Sequence, residues 1–275
     1  MADDGPQGRK EIRDLLARHG VSPRKRLGQH FLTDPNIVRK IVAAARVGPG
    51  DRVLEIGAGT GTLTRALAGT GARVVAYEVD PGLAPVLQEA TAGCPGVELR
   101  FRDATREAFA ESLDGPDWVL AANLPYNVGT PLLLDLLQHV PRIVRFVVMV
   151  QREVADRLLA PPGSRTYGLP SVVAALYAIP GERFPVARRV FIPPPDVDSA
   201  VIVLDRRPPA DGAERAVELA AAAFGQRRKM LRGSLAAGLA DPVAVLEAAG
   251  IAPTARAEEL APEDYLRLAE AERAG

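Results

Sequence analysis

Asn123, Leu124, Pro125 and Tyr126 are the residues of this 275-residue chain whose types and spacing best suit chemistry. The Asn123 side-chain carbonyl, with a backbone carbonyl at Leu124 or Pro125, can accept hydrogen bonds from both hydrogens of an amino group. An exocyclic amine on an aromatic ring is a poor nucleophile because its lone pair is delocalised. Acceptors on its two hydrogens favour the tetrahedral nitrogen that can attack an electrophilic methyl group. Pro125 has no N–H and restricts the residue before it, which helps to fix those carbonyls. Tyr126 can stack on a base removed from its helix, an interaction worth ~1–3 kcal/mol per base. No strong general base is needed, because the nitrogen becomes acidic only once it is methylated. The same four residues would also make an Asn-Pro loop turn with a buried tyrosine.

A second constellation lies upstream. V-L-E-I-G-A-G-T-G (residues 53–61) reads as a strand running into a glycine loop. Glycines there permit positive φ and a close approach of backbone to ligand. The spacing is GxGxG and not the dinucleotide fingerprint GxGxxG, and glycines also serve ordinary tight turns. Glu78 follows the next strand, about twenty residues on, where an open α/β sheet places a carboxylate for ribose hydroxyls. Asp103 and Ala104 follow the third strand, and can meet an adenine amino group and ring edge. Each acid alone could be a helix N-cap or a loop residue. Together, three strand-end features at one sheet edge point to a cofactor containing adenosine.

Those residues need a frame. Strand-like runs at residues 52–56, 73–77, 97–101, 117–121 and 144–150 alternate with helical stretches at 62–68, 81–92 and 131–139. Such alternation implies a mostly parallel sheet covered on both faces. A short amphipathic helix is expected at 11–19, an irregular basic segment at 24–33, and a helix capped by Thr33 or Asp34 with Pro35 in its first turn. After residue 150, helices flank a Pro161-Pro162-Gly163 loop, and residues 183–186 and 200–205 read as antiparallel additions. Pro208-Pro209 marks a linker to an Ala/Leu/Arg/Glu-rich helical tail. The expected domains are 1–207, with the basic segment 1–33 included, and 208–275.

Composition narrows the class. With 47% apolar residues the chain can bury a real core, and no apolar run approaches the ~20 residues of a membrane span. One cysteine and three histidines leave no metal cage and no intramolecular disulfide, so a cytoplasmic, metal-free protein, most simply a monomer, is expected. Formal charge is balanced at 34 basic and 34 acidic side chains, but cations cluster at Arg24-Lys25-Arg26 and at Arg227-Arg228-Lys229 with Arg232. These clusters suit phosphate contacts, which position RNA without reading its sequence; each could equally be a solvated face.

The chain resembles the small-subunit ribosomal RNA adenine dimethyltransferase family (KsgA/RsmA type). The matching segments are R-K-R-L-G-Q-H-F-L (24–32), E-I-G-A-G-T-G (55–61), Glu78, Asp103-Ala104, N-L-P-Y-N (123–127), V-Q-R-E-V-A-D-R-L (150–158), Y-G-L-P-S-V (167–172), V-F-I-P-P-P-D-V-D-S-A (190–200) and F-G-Q-R-R-K-M-L-R (224–232). The resemblance implies an α/β, Rossmann-like S-adenosylmethionine-dependent methyltransferase domain with a small C-terminal helical domain. It implies that His30, Leu32, Gly57, Gly59, Glu78, Asp103, Ala104 and Asn123 line the S-adenosylmethionine site. Asn123, Leu124, Pro125 and Tyr126 would hold the target adenine, with Phe191 closing on the base opposite Tyr126. The implied reaction is N6,N6-dimethylation of two neighbouring adenosines in the 3'-terminal hairpin of 16S rRNA, late in assembly of the 30S subunit. Many relatives carry Asn where His30 stands, and Leu169-Pro170 replaces a common Arg-Leu pair. Two other readings share these motifs: an erythromycin-resistance type methyltransferase of large-subunit rRNA, and a non-catalytic assembly factor on the same scaffold. A dehydrogenase is disfavoured by the glycine spacing.

Overall fold

The computed structural model describes residues 7–126 and 128–275. In chain order its elements are α1 (Arg9–Arg18), β1 (Phe31–Leu32), α2 (Pro35–Ala45), β2 (Arg52–Ile56), α3 (Thr62–Ala68), β3 (Arg73–Tyr77), α4 (Ala84–Ala90), β4 (Val97–Arg100), α5 (Phe109–Ser112), β5 (Trp118–Asn123), α6 (Gly129–His139), β6 (Ile143–Gln151), α7 (Arg152–Leu158), α8 (Leu169–Tyr177), β7 (Ala178–Val186), β8 (Phe191–Ile192), β9 (Ser199–Arg206), α9 (Ala213–Gly225), α10 (Leu231–Ser234), α11 (Pro242–Ala248) and α12 (Pro262–Ala274).

Seven strands form one sheet in the order β4-β3-β2-β5-β6-β9-β7. The first five are parallel, and β9 runs antiparallel to β6, from Arg145 opposite Asp205 to Gln151 opposite Ser199. Among the parallel strands, chain order climbs outward in both directions from the β2–β5 pair. That reversal leaves a crevice beyond the carboxyl ends of β2 and β5, where open α/β sheets bind ligands. The central parallel strands β2, β3, β5 and β6 are largely buried on both faces, which explains their mostly apolar sequences.

Chain contacts divide the molecule into two compact units. One comprises the residues up to Arg152 together with Gly181–Asp205; the other comprises Glu153–Pro180 and Arg206–Gly275. The sequence expectation made a single cut near Pro208. In the second unit, Phe224 sits edge-on to Tyr167 at 5.8 Å, and the Tyr167 and Tyr265 hydroxyls donate to the Leu260 and Ala257 carbonyls. Arg215 grips Glu272 through two bonds of 2.7 and 2.6 Å.

The segment expected to be irregular at 24–33 holds a 3-10 turn, Lys25–Leu27, and then β1, which pairs antiparallel with β8. Asp34, not Thr33, caps α2 by accepting from the Asn36 amide; the Thr33 hydroxyl donates to the Val190 carbonyl and extends the β1–β8 ribbon. Among the described residues no helix is long and apolar enough to cross a membrane.

Candidate active site

Gly57 follows β2 directly, Glu78 follows β3, and Asn123 ends β5, so the parallel sheet delivers all three to one edge. The Gly57 and Ala58 amides donate to the Tyr77 carbonyl, and the Gly59 amide donates to Glu78 Oε2 at 2.8 Å. Gly57 and Gly59 have φ of 82° and 56°, a left-handed conformation that side-chain-bearing residues adopt at a cost. Space is also short. A Cβ on Gly57 would lie 3.2 Å from the Asn123 carbonyl oxygen, and one on Gly59 would lie 3.2 Å from the Phe31 ring. Glycine is therefore required here for conformation and for room.

A cleft opens along this edge, lined by residues 27–32, the glycine loop, Glu55, Glu78 and residues 123–126. A second hollow shares Leu27, Gly57, Val79 and Pro125 with it and adds Asp103 and Ala104. Residues 30, 32, 57, 59, 78 and 123 thus share one cleft, with 103 and 104 in its continuation.

Two buried carboxylates stand in the cleft wall. Glu78 accepts amides on both oxygens, from Gly59 and from Asp80 at 2.9 Å, and burial raises its pKa against those bonds. Glu55 is more extreme. Its Oε2 has no hydrogen-bond partner, and burial, aided by the charge of Glu78, pushes its carboxyl up to about 8. Asp103 behaves oppositely: bonds from the Thr105 hydroxyl and amide hold its carboxyl below the usual range. It caps the 3-10 turn Ala104–Arg106, as one of its two sequence readings had it, and it also lines the hollow.

At the end of β5 the hydrogen bonds are specific. Asn123 Nδ2 donates to the His30 carbonyl at 3.2 Å, leaving Oδ1 as the amide's acceptor end. The Pro125 carbonyl accepts from the Val128 and Gly129 amides at 3.3 and 2.8 Å, so it is spent on starting α6. Of the two backbone acceptors expected from sequence, Leu124 is the better candidate. The Tyr126 hydroxyl bonds Ser199 Oγ at 2.7 Å, and its ring stacks on His30 with centroids 5.7 Å apart. Burial raises the Tyr126 pKa, which keeps the phenol neutral. His30 Nδ1 lies 2.8 Å from the Pro193 carbonyl; since a carbonyl only accepts, Nδ1 carries the proton. Asn127, the last residue of the matched N-L-P-Y-N segment, lies outside the described residues.

Phe191, opposite Leu32 in the β1–β8 ribbon, is wholly buried in the core cluster with Val201 and Val186. The ring beside Tyr126 is that of His30. Arg24 makes an ion pair within the fold. Its guanidinium bonds Asp80 Oδ1 at 2.6 Å, Gln29 holds Oδ2 at 2.8 Å, and Asp80 is only 1% exposed. Lys25 and Arg26 are exposed, as are Arg228, Lys229 and Arg232. Arg227 is exposed but bonds Glu258 and the Arg165 carbonyl. Sequence reasoning missed Glu55, whose signal was a lone charge inside an apolar strand. It also missed Ser199 and Gln7, which carry no local signal.

A glycine loop at the switch point of such a sheet, with acids after the next two strands, defines the S-adenosylmethionine-dependent methyltransferases, and this is their fold. Among solved structures, the 23S rRNA methyltransferase ErmE is similar with a TM-score of 0.65 and 31% identity, over 88% of this chain and 99% of that one. A dimethyladenosine transferase from Plasmodium falciparum matches with a TM-score of 0.73 and 26% identity, over 87% and 96% of the two chains. The chain belongs to the ribosomal RNA adenine dimethylase family, which it matches over residues 20–273. Its relatives include the ribosomal RNA small subunit methyltransferase A of Kineococcus radiotolerans, 46% identical over 94% of this chain and 89% of that one. That of Streptomyces griseus is 47% identical over 97% and 95%.

Proposed function

We propose that the chain transfers methyl groups from S-adenosylmethionine to N6 of two adjacent adenosines in the 3'-terminal hairpin of small-subunit rRNA, late in assembly of that subunit. The observation that carries this reading is the shared cleft lined by the glycine loop and the N-L-P-Y tetrapeptide, so close that a Cβ on Gly57 would lie 3.2 Å from the Asn123 carbonyl oxygen. The residues present fit the cofactor. Gly57 and Gly59 leave room that a Cβ would take, Glu78 and Asp103 offer acceptors, and the orphan oxygen of Glu55 suits a cationic group. His30, Leu32 and Ala104 complete the walls.

Bound there, S-adenosylmethionine supplies an electrophilic sulfonium methyl group. Asn123 Oδ1 and the Leu124 carbonyl accept from the two N6 hydrogens and turn the nitrogen lone pair toward that methyl. Tyr126, anchored by Ser199, offers its ring to the extruded base. Lys25 and Arg26, and in the other unit Arg228, Lys229 and Arg232, supply phosphate contacts.

Identity of 46–47% to small-subunit enzymes, against 31% to ErmE, favours the small-subunit substrate over the large. The intact glycine loop and tetrapeptide disfavour a non-catalytic factor. The test is transfer of tritiated methyl to isolated small subunits lacking the modification, followed by nucleoside analysis. N6,N6-dimethyladenosine at two positions is expected. Label confined to the large subunit would refute the assignment.

A further inference from the structure

Gln7 is 93% buried although it lies ahead of residues 20–273, which carry the family match. Its Oε1 accepts from Thr62 Oγ1 at 3.0 Å, and Thr62 Oγ1 lies 3.4 Å from Thr60 Oγ1. Both threonines are buried, and both line the cleft at the glycine loop. The segment that brings Gln7 here is well fastened. Glu11 accepts from the Gly8 amide at 2.5 Å, and the Arg9 guanidinium donates to the Arg189 and Phe191 carbonyls on the β8 side. Ile12, Leu15 and Leu16 of α1 pack into a cluster with Phe31, Leu83 and Val86.

A carboxamide oxygen only accepts, so the Thr62 hydroxyl proton points at Gln7. The remaining bond must then run from the Thr60 hydroxyl to the Thr62 oxygen. The chain has one direction, Thr60 to Thr62 to Gln7. Both protons are engaged within it, and the threonine oxygens keep lone pairs for an occupant of the cleft. S-adenosylmethionine is cationic at its ammonium and sulfonium groups and needs acceptors, whereas a reversed chain would offer it protons.

We propose that Gln7 is a positioning residue for the cofactor, setting the direction of the Thr60–Thr62 hydroxyl chain so that the glycine loop presents acceptors to a cationic ligand. This rests on the S-adenosylmethionine reading of the cleft.

Isothermal titration of the full chain with S-adenosylmethionine at 10 °C tests it. Gln7→Ala should weaken binding about tenfold, the scale of one buried hydrogen bond. Gln7→Glu, whose oxygens still accept, should stay within about threefold of wild type. Gln7→Ala and Thr62→Val should be non-additive, the double variant binding no more weakly than the weaker single one. Gln7→Ala binding like wild type overturns the proposal, and so does Gln7→Glu binding as weakly as Gln7→Ala. If Gln7→Ala proves too unstable to titrate, Thr62→Ser against Thr62→Val reads the same bond with Gln7 in place. Serine should then retain affinity and valine lose it; equal affinities overturn the idea. Failure of the wild-type chain to bind S-adenosylmethionine would sink the cofactor reading itself, a distinct result.

Discussion

Asn123 Nδ2 donates to the backbone carbonyl of His30, and that bond decides which end of the amide is left for a substrate. With the donor end tied to β1's approach, Oδ1 is an acceptor already oriented before any base arrives. Asn123→Ala removes the acceptor without touching the exposed cations. Methyl transfer should fall by about 100-fold or more, as expected when a reacting group loses its alignment. RNA affinity, measured by filter binding, should change less than about twofold. Near-wild-type turnover in this variant would remove Asn123 from the chemistry.

Tyr126 has two separable functions, a ring that faces His30 and a hydroxyl that bonds Ser199. Tyr126→Phe keeps the ring and should lower kcat/KM for RNA less than about tenfold. Tyr126→Ala also loses the stacking surface, and at ~1–3 kcal/mol per base the further loss is about 5- to 150-fold. Steady-state kinetics on small subunits measures the ratio. Equal losses in both variants would mean that the hydroxyl, not the ring, matters.

The sheet was legible because of its own physics. Parallel strands buried on both faces must be short apolar runs, and V-L-E-I, R-V-V-A-Y and residues 143–151 are such runs. The start of β7 was not: Pro180 and Gly181 interrupt the strand pattern, yet an edge strand tolerates proline, so β7 begins at Ala178 and not near 183. Strands as short as Phe31–Leu32 and Phe191–Ile192 carry no period, and their pairing joins distant parts of the chain. That pairing is why Phe191 turns inward. The glycine loop, Glu78 and Asn123 were readable as strand-end residues, since topology alone carries them to one edge. Partners such as Ser199 for Tyr126, or Asp80 for Arg24, exist only once the chain is folded.

Glu55 makes stability depend on pH in an unusual direction. Its carboxyl titrates near 8 in the folded chain and near 4.5 when unfolded, so between those values the folded state holds the extra proton. Stability from this group is therefore present below about pH 4.5 and is lost as pH rises toward 8. The burial of Glu78 acts in the same sense. The lowered carboxyls of Asp103, Glu98 and Glu272 matter only in more acid solution. Glu55→Gln should flatten the decline, gaining on wild type by on the order of a few kcal/mol between pH 5 and 8. Urea unfolding of the ligand-free proteins at pH 5, 6.5 and 8 measures it. Parallel slopes in the two proteins would show that Glu55 ionises normally.

Three neighbouring cations, Arg24, Lys25 and Arg26, look alike in sequence and should behave differently. Arg24 satisfies Asp80, which is almost wholly buried and also accepts from Gln29 and the Gly82 amide. Removing one partner of a buried charge leaves the other uncompensated, so Arg24→Ala should lower the melting temperature. Arg24 itself is 44% exposed, and solvent moderates the loss to about 1–2 kcal/mol. Lys25 and Arg26 have no such buried partner among the described residues. Lys25→Ala and Arg26→Ala should leave the melting temperature within about 1 °C, weaken RNA binding, and each reduce the slope of log affinity against log salt by about 0.7–0.9. Calorimetry and binding between 50 and 200 mM salt distinguish the two behaviours. An unchanged salt slope in the Lys25→Ala, Arg26→Ala double variant would place the RNA backbone elsewhere on the first unit.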